Sequence, residues 1–222
     1  MRDAFHDSLD HVSDQLEEMT RMVGTAIARA TDALLGADLS AAESVIASDD
    51  DIDALRRDVD DQAVDLLARQ QPVATDLRMV VTAMHMASDI ERMGDLARHI
   101  AKVARMRYPQ SAVPDAVRDT VLQMSEVARE LVAMTGQAIS QKDVHAAVQI
   151  AKEDDRMDEL HRQMFAALVD EHWTHGTEAA VDVTLLSRYF ERFGDHAVAV
   201  ANRIVYLVTG YYGTEDEGLL TR

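Results

Sequence analysis

Cysteine is absent from the chain, which excludes a disulfide framework, a thiolate nucleophile and a zinc–thiolate site at one stroke. A chain without thiols fits a reducing cytosol, and a cytoplasmic location is expected. Proline and glycine are scarce, three and nine in 222 residues, and aromatics make up only 5%. Beside abundant Ala, Leu, Val, Asp and Arg, that scarcity points to an all-α protein. No run approaches the ~18 apolar residues that a membrane helix needs, so direct membrane insertion is not expected. The opening "MRDAFHDSLDHV" alternates charged and apolar residues, and no signal peptide is expected there. Basic residues are also short: 22 against 40 acidic ones leave a net charge of −18. Such a surface serves solubility and repels nucleic acid and anionic headgroups over about a Debye length. Any control over genes or membrane proteins should therefore run through protein partners or metal ions.

What the chain does contain, it contains twice. "ADLSAAESVIASDDDIDAL" from residue 37 matches "KDVHAAVQIAKEDDRMDEL" from residue 142 at a constant offset. Asp38, Ala41, Ala42, Asp49, Asp53 and Leu55 pair with Asp143, Ala146, Ala147, Asp154, Asp158 and Leu160. "DIERMGDLARHI" from residue 89 then matches "YFERFGDHAVAV" from residue 189, with Glu91, Arg92, Gly94, Asp95 and Ala97 reappearing as Glu191, Arg192, Gly194, Asp195 and Ala197. Two matches in the same order identify an internal duplication. Pro109 and Pro114, in "RYPQSAVPD", mark the join.

Each half reads as three helices. The first half predicts helices from Ala4 to Leu35 with Gly36 as the stop, from an Asp38 cap to Arg69, and from the cap-like "ATDLR" to Met106. The second predicts Asp115 to Ser140, Asp143 to Glu171 and Thr177 to Val208. Short loops force neighbours antiparallel, giving two tandem three-helix bundles at 1–108 and 114–210 and a frayed tail at 211–222. Val183, Leu186, Phe190, Phe193, Ala197, Val200 and Ile204 follow a three-four spacing and form a core stripe. The four phenylalanines and most methionines read as packing, with Met79, Met84, Met86 and Met93 as the alternative of a soft partner surface.

The chemistry lies in four acidic i, i+4 pairs: Asp49 with Asp53, Glu91 with Asp95, Asp154 with Asp158, and Glu191 with Asp195. Each pair sets two carboxylates on one helix face. Single pairs carry no weight, since composition alone yields about seven in so acidic a chain. Their recurrence at matching places on adjacent helices does. Four carboxylates gathered across two helices repel unless protonated or neutralised, and a cation is the natural neutraliser. Arg92 and Arg192, one residue on from each glutamate, flank such a cluster without entering it. All-oxygen ligation suits Mg, Ca, Mn or iron. His99 and His196 are candidate nitrogen ligands, although neither recurs. Gly94 and Gly194 interrupt a helix interior at about 1 kcal/mol each relative to alanine, which implies close approach of a neighbouring helix or a ligand.

The segments "RQQPVATDLR", "DIERMGDLA" and "RYFERFGDHAVAVANRIVYLVTG" closely resemble the PhoU family of phosphate-transport accessory proteins, and the resemblance spans essentially the whole chain. It implies two similar three-helix bundles whose E(D)-x-x-x-D motifs bind metal clusters. Here those motifs are Asp49 and Asp53, Glu91 and Asp95, Asp154 and Asp158, and Glu191 and Asp195. Iron is the first metal implied, with Mn, Mg and Zn as alternatives. Relatives often read "DHATNIAE" where this chain has "DHAVAVAN", so no ligand beyond Glu191 and Asp195 carries over in that segment. The implied role is regulatory: restraint of the phosphate ABC transporter through its ATPase subunit, and a relay of phosphate sufficiency to a membrane sensor histidine kinase. A homodimer, peripheral to the membrane through protein partners, is a further expectation.

No catalysis is expected. The sequence has no Gly-rich phosphate loop, nucleophile elbow or H-E-x-x-H, and no catalytic residue is assigned. Two alternatives stand beside the adaptor: a carboxylate-bridged enzyme of di-iron type and a purely structural helical scaffold. The first needs Glu-x-x-His motifs, and none occurs.

Overall fold

A computed structural model describes residues 2–211, with burial described from Phe5 onward. Six helices follow one another: α1 Arg2–Gly36, α2 Leu39–Gln70, α3 Thr75–Arg107, α4 Asp115–Gln141, α5 Val144–Val169 and α6 Gly176–Thr209. There is no strand among the described residues. Apart from Tyr211, the expected tail lies outside the described residues.

The duplication is visible first in the turns. Ala37 and Lys142 both take left-handed backbone, with φ of 49° each, and each is followed by an aspartate that caps the next helix. Asp38 accepts from the Ala41 N–H at 3.0 Å, and Asp143 from the His145 N–H at 2.8 Å. These caps satisfy N–H groups that the helix itself leaves without partners. Two details differ from the sequence expectation. Gly36 stays inside α1 and the left-handed turn falls on Ala37, because the aspartate cap, not the glycine, fixes where α2 begins. α3 starts after Ala74 at φ 50° with no side-chain cap, so "ATDLR" supplies the first turn but not its capping bond.

Within each half the three helices contact one another, and the halves meet through α1 on α4 and α3 on α6. The packing closes a ring of four helices, α1, α3, α6 and α4. Among the described residues α2 touches only α1 and α3, and α5 only α4 and α6. One apolar cluster runs through the whole ring, including every residue of the expected α6 stripe from Val183 to Ile204. Met86 and Met93 are buried in it, while Met79 and Met84 pack on a smaller cluster around Phe5, Leu9 and Val80. Phe165 departs from the expectation: it is 42% exposed on the outer face of α5, beyond the reach of the ring's core.

Where α3 and α6 cross, the join between halves is partly ionic. Asp89 accepts from Arg203 Nε at 2.7 Å and lies 3.1 Å from His196 Nδ1. Burial works against its charge, but those two partners outweigh burial and hold the carboxyl below its ordinary range. At one end of the same interface Arg107 grips the buried Asp182 through Nε at 2.5 Å and Nη2 at 3.0 Å, and also pairs with Glu178. Removing one partner of such a pair strands a buried charge, which is worse than removing both. Arg107→Met is therefore expected to lower the thermal midpoint, and adding Asp182→Leu to recover most of the loss. Circular dichroism melts of the two variants check this. Additive losses would show that the pair is not coupled.

Candidate functional site

The two outer helices, α2 and α5, carry the carboxylates to the ring. Because α2 runs antiparallel to α3, the earlier acid of one helix stands near the later acid of the other. Asp49 is influenced by Asp95 and Asp53, and Glu91 by Asp95 and Asp53. In the second half Asp154 is influenced by Asp158, Asp195 and Glu191 together. All eight carboxylates named from the sequence thus fall into two groups of four, one between α2 and α3 and one between α5 and α6. Among the described residues, no group of three or more His, Asp or Glu is already set as a metal cage. Each group is a loose cluster of like charges held near one another by helix packing.

The two clusters have different electrostatics. In the first, Arg98 lies inside. Its Nη1 is 2.5 Å from Asp49 Oδ2, and its Nη2 pairs with Asp95. The contact to Asp49 is ionic, since that oxygen has no well-aligned hydrogen bond. Burial, with Asp49 only 4% exposed, still raises that carboxyl above its ordinary range despite Arg98. Arg92 pairs with Asp95 at 3.0 Å and reaches Glu91 at 3.8 Å from the solvent side.

In the second cluster Val198 occupies the place corresponding to Arg98. Arg188 pairs with Glu191, and Arg192 reaches Asp195 at 3.8 Å. Asp154 Oδ1 and Glu191 Oε2 are buried without a hydrogen-bond partner. Burial first, then Asp158, Asp195, Glu191 and Asp155, push the Asp154 carboxyl up to about 7. The charges acting most strongly on it are all negative.

The two glycines serve different neighbours. A Cβ on Gly94 would stand 3.1 Å from Ile52 Cδ1, so the first glycine lets an apolar side chain of α2 approach. A Cβ on Gly194 would stand 2.0 Å from Asp154 Oδ1. That glycine makes the space in which the unpartnered carboxylate lies. An unsatisfied buried oxygen in a recess that a methyl group would fill is the kind of place an oxygen-seeking cation fits.

The candidate histidines lie elsewhere. His99 stacks at 5.3 Å on Tyr189 of α6, and His196 pairs with Asp89 of α3. Two neighbours of the clusters were not singled out from the sequence. Arg98 follows Asp95 by three residues, a spacing that places it over the same face. His161 accepts or donates to Ser187 Oγ at 2.7 Å and influences Glu191. It occupies the place that Arg56 holds in the first half, where Arg56 influences Glu91.

A duplicated chain whose described residues form helices and no strand, with acidic pairs facing across each outer and inner helix, defines a recognisable class of helical-bundle protein. The PhoU domain matches residues 16–104 and again residues 121–204. Over 212 residues, 96% of this chain, it is 49% identical to the full length of "phosphate-specific transport system accessory protein PhoU homolog 2" of Mycobacterium tuberculosis. It is 46% identical over 216 residues to homolog 1 of Mycobacterium leprae, covering 97% of both chains. The crystal structure of PhoU from Pseudomonas aeruginosa superposes with a TM-score of 0.82 at 27% identity, over 93% of this chain and 100% of that one. The chain belongs to the PhoU family.

The raised Asp154 carboxyl predicts an unusual pH dependence for the metal-free protein. Its ordinary value is 3.8 and its folded value about 7. Well below 3.8 it is protonated in both states and has no effect. As pH rises through this window the unfolded chain releases the proton first, so folding loses stability, and the loss is complete above pH 7. Asp154→Asn should therefore stabilise the metal-free protein at pH 8 by about 1–2 kcal/mol and leave it unchanged near pH 3. Urea unfolding in the presence of a chelator measures both. Equal effects at the two pH values would contradict the assignment.

Proposed function

We propose that this chain is a non-catalytic regulator of phosphate uptake, restraining a phosphate ABC transporter through its ATPase subunit while phosphate is plentiful. In the same role it signals sufficiency to a membrane sensor histidine kinase, so that starvation genes stay off. The observation that carries the reading is likeness along almost the whole chain to accessory proteins of phosphate-specific transport. No helix among the described residues is long and apolar enough to cross a membrane, so contact with the transport system rests on protein surfaces. Exposed apolar side chains recur at corresponding places in the two halves. Val64 and Val169 are 57% and 82% exposed, and Val81 and Val181 are 38% and 51% exposed.

Metal ions belong to the same proposal. Asp154, Asp158, Glu191 and Asp195 would hold a cation between α5 and α6, with iron first and Mn, Mg or Zn as alternatives. Asp49, Asp53, Glu91 and Asp95 form the corresponding site between α2 and α3. The support is the pair of buried, unpartnered oxygens on Asp154 and Glu191. A bound cation supplies the positive charge that those oxygens lack, and would tie α5 to α6.

Deleting the gene is expected to raise phosphate uptake and starvation-gene expression in phosphate-rich medium. Re-expressing the wild type should restore both, while Asp154→Asn with Glu191→Gln should restore them less. Unchanged uptake and expression after deletion would contradict the regulatory role. Full restoration by the double variant would contradict a role for the second cluster's metal.

A further inference from the structure

The duplication placed four carboxylates in each half, but it did not keep the same counter-charges beside them. In the α2–α3 cluster Arg98 reaches Asp49 at 2.5 Å and also pairs with Asp95, so one guanidinium spans the two helices. Arg56, which pairs with Asp60 at 2.9 Å, adds a second positive charge acting on Glu91. In the α5–α6 cluster the corresponding positions hold Val198 and His161, and its arginine, Arg188 in the place of Ser88, pairs with the other oxygen of Glu191 and does not bridge to α5. Val198 packs against the apolar core and brings no charge. His161 is bonded to Ser187 at 2.7 Å. The oxygens left buried without any partner on Asp154 and Glu191 belong to this second cluster. Only there does the glycine of the inner helix make room for a carboxylate oxygen; at the first cluster it makes room for Ile52.

Resting on the metal-binding reading above, we propose that the two sites are deliberately unequal: Arg98 is the resident cation of the α2–α3 cluster, so metal ions load the α5–α6 cluster first and the α2–α3 cluster only weakly. A guanidinium seated between Asp49 and Asp95 competes with an incoming ion in two ways. It occupies the space between the two helices, and it repels a second positive charge at short range. Its planar, permanently charged fork suits bridging two carboxylates and does not leave by deprotonation. A protein with one open site and one guarded site responds to metal in two steps, at two concentrations.

The test uses manganese(II) alone. Free ion is followed by electron paramagnetic resonance as it is titrated into the chelator-stripped full chain. The wild type is expected to show one tight class of site, which Asp154→Asn with Glu191→Gln removes. Arg98→Val, which copies the second half's residue, should tighten the weaker class by at least about tenfold. Arg98→Gln, which keeps polarity and much of the length, should do the same and covers the case in which the valine variant fails to fold. Val198→Arg should loosen the tight class by a similar factor. Thermal melts with and without manganese give a second readout, since an opened first site adds a new metal-dependent rise in midpoint. Equal affinities at the two clusters of the wild type, or a weaker class unmoved by both Arg98 substitutions, would overturn the inequality while leaving metal binding intact. No manganese uptake by any of these proteins would overturn the metal reading itself, and this inference with it.

Discussion

Mutual repulsion among carboxylates is the constraint on which the rest of the molecule turns. Each half carries four acids across one helix pair, in surroundings dry enough to raise Asp49, Glu91, Asp154 and Glu191 above their ordinary range. Such clusters weaken the fold that contains them. They persist here because the helices that bear them are held from elsewhere. The central ring of α1, α3, α4 and α6 buries a continuous apolar cluster, and its α3–α6 face is cross-linked by Asp89 with Arg203 and by Arg107 with Asp182. The ring supplies rigidity, and α2 and α5 press their acids against it.

The outer position of α2 and α5 also gives the clusters something to act on. Among the described residues each outer helix contacts only the two remaining helices of its own half. The α5–α6 acids therefore lie at the seam between one outer helix and the ring. Val64 and Val169, toward the C-terminal ends of those two helices, are exposed.

Much of this was legible in the sequence, and the reason is periodicity. The offset between "ADLSAA" and "KDVHAA" marks a turn repeated with its aspartate cap, and the structure shows both caps made. The core stripe of α6 was readable because apolar spacing of three and four leaves one face. The i, i+4 acids were readable for the same reason, as pairs on one helix. Their surroundings were not, because those depend on the register between two helices. Arg98 shares a face with Asp95, but its reach to Asp49 on α2 appears only once α2 and α3 are packed. The arginines next to the glutamates are the more prominent in the sequence, but they pair from the solvent side. Gly94 and Gly194 look identical in sequence, yet one accommodates Ile52 and the other Asp154. Phe165 read as core from its residue type, but its outward place on α5 leaves it exposed.

The central claim is that a cation belongs between α5 and α6, held on carboxylate oxygens. Anomalous diffraction from crystals of the full chain soaked in manganese(II) tests it most directly. The account predicts a strong anomalous peak within coordinating distance of Asp154 Oδ1 and Glu191 Oε2, beside Gly194. A clean map at that position, with ions found only on unrelated surface acids, would contradict it.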